Sequence, residues 1–221
     1  MQPASVVVIN TILSEFIPQR NFTLTSASNM SNDKIIENMI HSGYIKIEAK
    51  NNNPRGDRDE IIIYVLHTDG KYFHHSPDLR KLVDNVNLNI LDELIIIAEE
   101  EFFGKKNLMD VINLKSPKSI TYDPKGDFPY YNAYPYYNFV INVLKHQSVP
   151  EHRIMSNEEV ETLLKNNYKN IKDLPIIFDI DPPIIWIGAK DGQVIEIIRT
   201  SQCAMNALYY RRVVKSIVKI L

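Results

Sequence analysis

Glu60-Ile61-Ile62-Ile63-Tyr64-Val65-Leu66-His67 is the stretch on which the fold turns. Six apolar residues run from Ile61 to Leu66 without the polar alternation of a strand that has one wet face. Bounded by turn residues, such a run reads as a strand buried in a core. Thr68-Asp69-Gly70-Lys71 supplies the turn after it, and the polar stretch from Asn51 to Asp59, with Pro54 and Gly56, supplies a loop before it. Tyr44 to Lys50 partly alternates and reads as a neighbouring strand, and Leu94-Ile95-Ile96-Ile97 reads as a third. Ser119 to Tyr122 and Tyr137 to Leu144 are expected as further strands.

Helical patterns alternate with these strands. Val8, Ile12 and Phe16 recur at helical spacing, with Leu13 and Ile17 beside them, in a helix expected to end near Pro18. Ser31-Asn32-Asp33 reads as the cap of a second helix carrying Ile35, Ile36, Met39 and Ile40 on one face, ended by Ser42-Gly43. Ser76-Pro77-Asp78 opens another. A further helix is expected from Gly104 to Leu114, beginning beside Lys105-Lys106. Together these describe a compact α+β domain over residues 1 to about 143.

Lys145 to Glu151 reads as a linker, with Pro150 favouring extension before it. Ser156-Asn157-Glu158-Glu159 has the form of a capping box, and opens a helix with Val160, Leu163 and Leu164 that runs to about Tyr168. Asp181-Pro182-Pro183 starts a second helix through Trp186, which Gly188 can end. Asp191-Gly192 is a tight turn before a strand from Gln193 to Arg199. Ser201 caps a short turn, and Leu208 to Val214 returns as a strand. A small second α+β domain follows.

The 221 residues include one cysteine, Cys203, which excludes a disulfide framework within the chain and a zinc site built on paired thiolates. The apolar run Ser5 to Ile9 is too short to span a bilayer, and it has no basic residue ahead of it, so neither a membrane span nor a signal peptide is expected. Twenty-five basic against 27 acidic residues give a net charge of −2, which argues against a stand-alone, tight nucleic-acid binder. The charge is uneven. Residues 1–147 are net −3 and residues 148–221 are net +1, while residues 199–221 carry Arg199, Arg211, Arg212, Lys215 and Lys219 and no acid at all. The 31 isoleucines and 21 asparagines, both read from AT-rich codons, point to an AT-rich genome.

Motifs that could carry chemistry are sparse. Glu48-Ala49-Lys50 places an acid and a lysine on one face of a strand, the minimal pattern of a metal-dependent nuclease, in which carboxylates hold Mg²⁺ and the lysine stabilises phosphate. A cross-strand ion pair on a solvated face explains the same residues. Asp179-Ile180-Asp181 has the spacing of a metal-holding pair of aspartates, yet Pro182-Pro183 directly after it makes Asp181 better read as a helix cap. His67, His74 and His75 lack a partner at chelating spacing. The aromatic stretch from Phe128 to Phe139 contains no basic residue, which favours packing over stacking on bases. Lys105 and Lys106, at an expected helix start, suit a phosphate.

The C-terminal motifs, taken in order, carry a resemblance. Val149-Pro150-Glu151-His152, the Ser156 to Leu164 helix, Leu174-Pro175, Asp181-Pro182, Gly192 to Arg199 and Tyr210-Arg211 resemble the fifth-subunit family of multisubunit DNA-directed RNA polymerases, whose archaeal members are little more than this domain. The resemblance covers residues 148–214, and the wording around Asp181 to Trp186 and Ala204-Met205 looks most like the versions from large nucleocytoplasmic DNA viruses. Where the family carries Pro-Ser-Glu after the arginine, this chain has Thr200-Ser201-Gln202, and Asp191 replaces a basic residue.

The resemblance implies an α+β architecture with an N-terminal jaw domain over residues 1–143, a sheet with flanking helices, and a small C-terminal mixed α/β assembly domain over residues 148–221. It implies a non-catalytic polymerase subunit that anchors on the largest subunit among the other polymerase subunits and contacts downstream double-stranded DNA. No cofactor is expected in this chain, the magnesium belonging to the large subunits, and no membrane partner. Lys105 and Lys106 are the DNA-contact candidates. His152, Asp181, Pro182, Trp186, Gly192, Arg199, Ser201 and Arg211 are the assembly candidates. A viral version would work in the host cytoplasm and the virion, a cellular one in the nucleus. The competing expectation is the nuclease built on Glu48 and Lys50.

Overall fold

A computed structural model describes residues 4–26, 32–53, 59–67, 86, 88, 92–100, 130–168, 170–199 and 207–216. The chain is α+β and divides into two compact units, with the boundary between Ile141 and Asn142.

In the first unit the apolar run leads, as expected, to a central strand. The sheet order is β1 (Phe22–Ser26), β2 (Tyr44–Asn51), β3 (Glu60–Leu66), β4 (Glu93–Ala98) and β5 (Tyr130–Pro135). The β1–β2 and β2–β3 pairs are antiparallel, and the β3–β4 and β4–β5 pairs are parallel. Every residue of β4, and of β3 from Ile61 to Leu66, is buried. An unbroken apolar run suits such a parallel pair, because a strand covered on both faces has no wet side for polar residues. One face gathers Ile62, Tyr64, Leu66, Leu94, Ile96 and Ala98. The helix α1 (Ala4–Thr11), with Val6, Val8 and Ile9 buried, packs against β3.

That helix ends at Gln19, near Pro18 as expected. It passes through a π-helical turn, Ile12–Phe16, into α2 (Ile17–Gln19). Proline cannot donate to the carbonyl four residues back and its ring crowds that carbonyl, so the helix widens just ahead of it and ends one residue beyond it. The helix α3 (Asn32–Ser42) falls where its cap predicted, and Gly43 closes it with a hydrogen bond to the Met39 carbonyl of 2.8 Å.

The expected strand from Tyr137 to Leu144 is not formed. Tyr136–Phe139 and Val143–Lys145 are 3-10 turns, and the strand lies earlier, at β5. Asn142 accepts a hydrogen bond from its own neighbour Leu144 N–H through its side chain, a local bond that competes with a sheet ladder. The aromatics pack. Phe139 meets Phe16 edge-on with ring centres 5.0 Å apart, and the buried Tyr136 hydroxyl donates to the Leu66 carbonyl, its pKa driven up by burial. The helices expected at Ser76 and from Gly104 to Leu114, and the strand from Ser119 to Tyr122, lie outside the described residues.

A charged pair closes this unit. Arg20 Nη2 donates to Glu93 Oε2 at 2.8 Å, and both side chains are nearly sealed from solvent, 5% and 2% exposed. Asn132 donates to the other Glu93 oxygen at 2.7 Å, and the Arg20 guanidinium lies over the Phe16 ring, 5.2 Å from its centre. The arginine thus ties the end of the first helix to a central strand.

In the second unit the sheet order is β6 (Glu151–Ile154), β8 (Val194–Arg199), β9 (Ala207–Val214) and β7 (Ile176–Phe178). Two helices complete it, α4 (Asn157–Asn167) and α5 (Pro182–Ile187). The capping box is present in both directions: Ser156 Oγ accepts from Glu159 N–H at 3.3 Å, and Glu159 Oε2 accepts from Ser156 N–H at 2.8 Å. Leu163, Leu174 and Val194 form the core under α4, and Ile177, Ile184, Ile195, Ile197 and Val213 form the core under α5. Gly188 closes α5 at φ 71°, a conformation that a Cβ resists.

Arg20→Met leaves the Glu93 carboxylate buried, with Asn132 as the remaining donor of these two. It is expected to cost about 3–5 kcal/mol in denaturant unfolding followed by circular dichroism. Arg20→Met combined with Glu93→Leu should recover most of that loss, because an apolar pair of similar size avoids the buried charge altogether. Equal stability of the single variant and the parent would show that the pair is not what seals this unit.

Candidate functional site

The nuclease pattern is charge-compensated where it stands. The period of two puts Lys46, Glu48 and Lys50 on one face of β2, where Glu48 pairs with Lys46. Lys50 faces Glu60 across the β2–β3 register and bonds it at 2.9 Å. That bond raises the Lys50 pKa, which favours the charged ammonium. Asp33 lies on the exposed first turn of α3. Among the described residues no three His, Cys, Asp or Glu side chains gather as a metal site, and no helix is long and apolar enough to cross a membrane.

The Asp179-x-Asp181 pair is likewise committed to the chain. Asp179 Oδ1 accepts from Ser216 N–H at 2.7 Å, holding the end of β9, and burial raises its pKa. Asp181 stands at the cap position of α5, as its sequence predicted, but its side chain makes no capping bond. Pro182 and Pro183 occupy the first two helical positions and carry no N–H, so one of the two donors a cap side chain would reach, that of the second position, does not exist.

Strand alternation then sorts the C-terminal sheet into two electrostatically different faces. The registers pair His152 with Ile197, Ile197 with Tyr209, Ile195 with Arg211 and Arg199 with Ala207. These residues share the α5 face. Arg153, Glu196 and Tyr210 pair on the α4 face.

On the α4 face the one cation is paired with two carboxylates. Arg153 Nη1 bonds both Glu159 oxygens at 2.9 Å, and its Nη2 reaches Glu196 Oε2 at 2.7 Å. These charge-assisted bonds commit the arginine to partners within the chain. The groove beside it, lined by Met155, Leu163, Asn166 and Tyr210 among others, has a volume of about 420 Å³.

On the α5 face the arrangement differs. Arg199 is exposed and lies over the Tyr209 ring, 4.8 Å from its centre. Arg211 Nη1 donates to the Ile176 carbonyl at 2.9 Å. Among the described residues neither guanidinium is in an ion pair. His152, on the edge strand β6, feels both. Burial lowers its pKa, the fields of Arg199 and Arg211 lower it further, and Asp181 opposes them. Its Nδ1 is 2.7 Å from the Pro150 carbonyl, which can only accept, so Nδ1 carries the proton of the neutral ring.

Three other assembly candidates, Asp181, Arg199 and Arg211, are thus brought within electrostatic reach of His152. Three others support the sheet and helix. Trp186 is 0% exposed, so its side chain offers nothing to a partner directly. Gly192 turns the chain into β8 at φ 86°, and Pro182 begins α5. Ser201, Lys105, Lys106, His74, His75 and Cys203 lie outside the described residues. The sequence reading passed over Tyr209, 46% exposed, although its two-residue offset from Arg211 on an expected strand was the available signal. Arrayed this way, the α5 face can bind an anionic or carboxylate-bearing surface. No nucleophile, base and acid constellation accompanies it among the described residues.

Residues 141–213 match the family described as RNA polymerase Rpb5, C-terminal domain. The chain is 31% identical to a DNA-directed RNA polymerase RPB5 homolog of African swine fever virus over 208 residues, 93% of this chain and 96% of the viral protein. Its C-terminal part is 50% identical over 74 residues to the DNA-directed RNA polymerase subunit Rpo5 of Thermococcus kodakarensis, covering 34% of this chain and 90% of that protein. The Rpo5 of Methanocaldococcus jannaschii matches at 44% over 78 residues, 35% of this chain and all of that protein.

His152 gives this face a pH signature. A histidine whose pKa is lowered on folding takes up protons more readily when unfolded. Its contribution is therefore complete above the ordinary value of 6.5 and is lost as pH falls through 6.5 toward the lowered one. Melting temperatures of the full chain at pH 7.5 and 5.5 should differ, and His152→Gln should shrink the difference. An unchanged difference would mean that other groups set it.

Proposed function

The chain belongs to the Rpb5 family of DNA-directed RNA polymerase subunits, and from that membership we propose that its C-terminal unit anchors it on the largest polymerase subunit while its N-terminal unit reaches the downstream duplex. It is a polymerase subunit and not a catalyst on its own, since its relatives are named as subunits. The observation that carries the anchoring half is the length of the archaeal relatives. The Methanocaldococcus protein is matched end to end by 78 residues. A subunit with nothing more than that part must be held in its polymerase by it. The uncompensated α5 face agrees with a unit whose partner lies outside the chain.

The DNA half of the proposal rests on charge. Residues 1–147 are net −3 and cannot grip a duplex by bulk attraction, so contact has to be local. Lys105 and Lys106, adjacent and beside Gly104, are the local cations we assign to it. The magnesium of catalysis is assigned to the large subunits, and a viral enzyme of this kind to the host cytoplasm and the virion.

The fragment 142–221 is expected to co-purify with the polymerase when expressed beside the other subunits, and residues 1–141 alone are not. The reverse result would refute the anchoring. In the assembled enzyme, Lys105→Ala with Lys106→Ala should weaken downstream binding equally on unrelated templates. The slope of log K against log salt should become shallower by up to ~0.9 for each phosphate no longer neutralised. An unchanged affinity and slope would remove these lysines from the interface.

A further inference from the structure

Resting on the anchoring just proposed, we propose that the α5 face of the C-terminal sheet receives an acidic segment of the neighbouring polymerase subunit, its carboxylates taken by Arg199 and Arg211 on either side of Tyr209. The first support is the contrast between the two faces. Arg153 on the α4 face turns all three of its guanidinium nitrogens to Glu159 and Glu196, while Arg199 and Arg211 meet no carboxylate among the described residues. Two unpaired cations on one face set up a positive potential that an acidic partner complements.

The second support is the sequence between them. Residues 199–221 contain no Asp or Glu, so neither residues 200–206 nor those after β9 carry an acidic side chain that could pair with these arginines. Asp181 adds its field to this face but pairs with neither arginine among the described residues, which leaves both open to a partner's carboxylates.

The third support is geometry. The row His152, Ile197 and Tyr209 runs across three strands, with Arg199 two residues beyond Ile197 along β8 and Arg211 two residues beyond Tyr209 along β9, in opposite directions across the row. The cations flank a half-exposed aromatic ring, which offers an extended chain an apolar floor between two anchor points. Arg199 is already held over that ring by its cation–π contact, so less side-chain freedom is lost when a carboxylate arrives. His152 stays neutral and adds no third charge.

A nucleic-acid phosphate is the other anion to consider. The protein partner is favoured because residues 148–221 are net only +1 and an exposed tyrosine sits at the centre of the face. A groove for nucleic acid normally carries a stronger basic excess.

The test uses full-length chain assembled in nuclease-treated polymerase and washed with rising salt. Arg199→Glu with Arg211→Glu should lower retention at least about tenfold, Arg199→Gln with Arg211→Gln should lower it less, and the double lysine variant should keep most of it. Melting of each isolated chain reports whether it folds. A folded double-glutamate variant retained like the parent overturns this proposal. Anchoring through the unit is judged separately by incorporation of the fragment 142–221. Loss of the parent chain on nuclease treatment would mean that the face holds nucleic acid, and overturns the proposal as well.

Discussion

The antiparallel pairing of β8 with β9 is the constraint from which the functional surface follows. Val194 faces Arg212 and Arg199 faces Ala207, with no slip between them. A slip of one residue would turn every side chain of a strand to the opposite face, taking Ile195 and Ile197 out of the core under α5. The core therefore enforces the register, and the register places the charges. Arg199 and Arg211 reach the α5 face because Ile195, Ile197 and Val213 must be buried there. Gly192 initiates the arrangement, since its positive φ lets the chain turn into β8 while its N–H bonds the Val213 carbonyl at 3.0 Å.

The first unit is built on a different constraint, the covering of a parallel pair on both faces. Two strands without a wet side leave few positions for polar groups, and those few are tied down. Asp92 accepts from the Glu60 N–H at 3.2 Å and its carbonyl accepts from Tyr130 N–H at 3.0 Å, so the starts of β3 and β5 meet at one buried aspartate. Glu93 beside it takes Arg20 and Asn132. Polar groups buried at the start of a central strand specify its neighbours as well as stabilising them.

What was legible in the sequence was whatever depends on local chemistry. The apolar runs of β3 and β4, the capping box at Ser156, the prolines opening α5 and the glycine turns all report themselves through residue types at short spacing. What was not legible depends on distant partners. β6 is four residues of alternating exposure on a sheet edge, and β7 is three, too short for periodicity to register. The strand expected over Tyr137 to Leu144 failed because Asn142 satisfies the backbone locally. Among the candidate site residues, Arg199 and Arg211 were visible as part of an acid-free basic tail, but their sharing of a face with His152 came only with the register. Trp186 read equally well as core or contact, and proves fully buried. Tyr209 went unnoticed because a tyrosine on a strand is ordinary until a guanidinium lies over it.

Attachment to an RNA polymerase through the α5 face of the C-terminal unit can be read out at a single position. A photo-activated crosslinker placed at position 209 of the full chain, in assembled polymerase, reports it without intermediates, because Tyr209 is half exposed and stands between the two arginines. The expected product is a crosslink to the largest subunit, mapped by mass spectrometry to an acid-rich peptide. The same probe at Glu161, exposed on α4, should give no such product. A crosslink to the largest subunit from position 161 and none from position 209 would contradict attachment through this face.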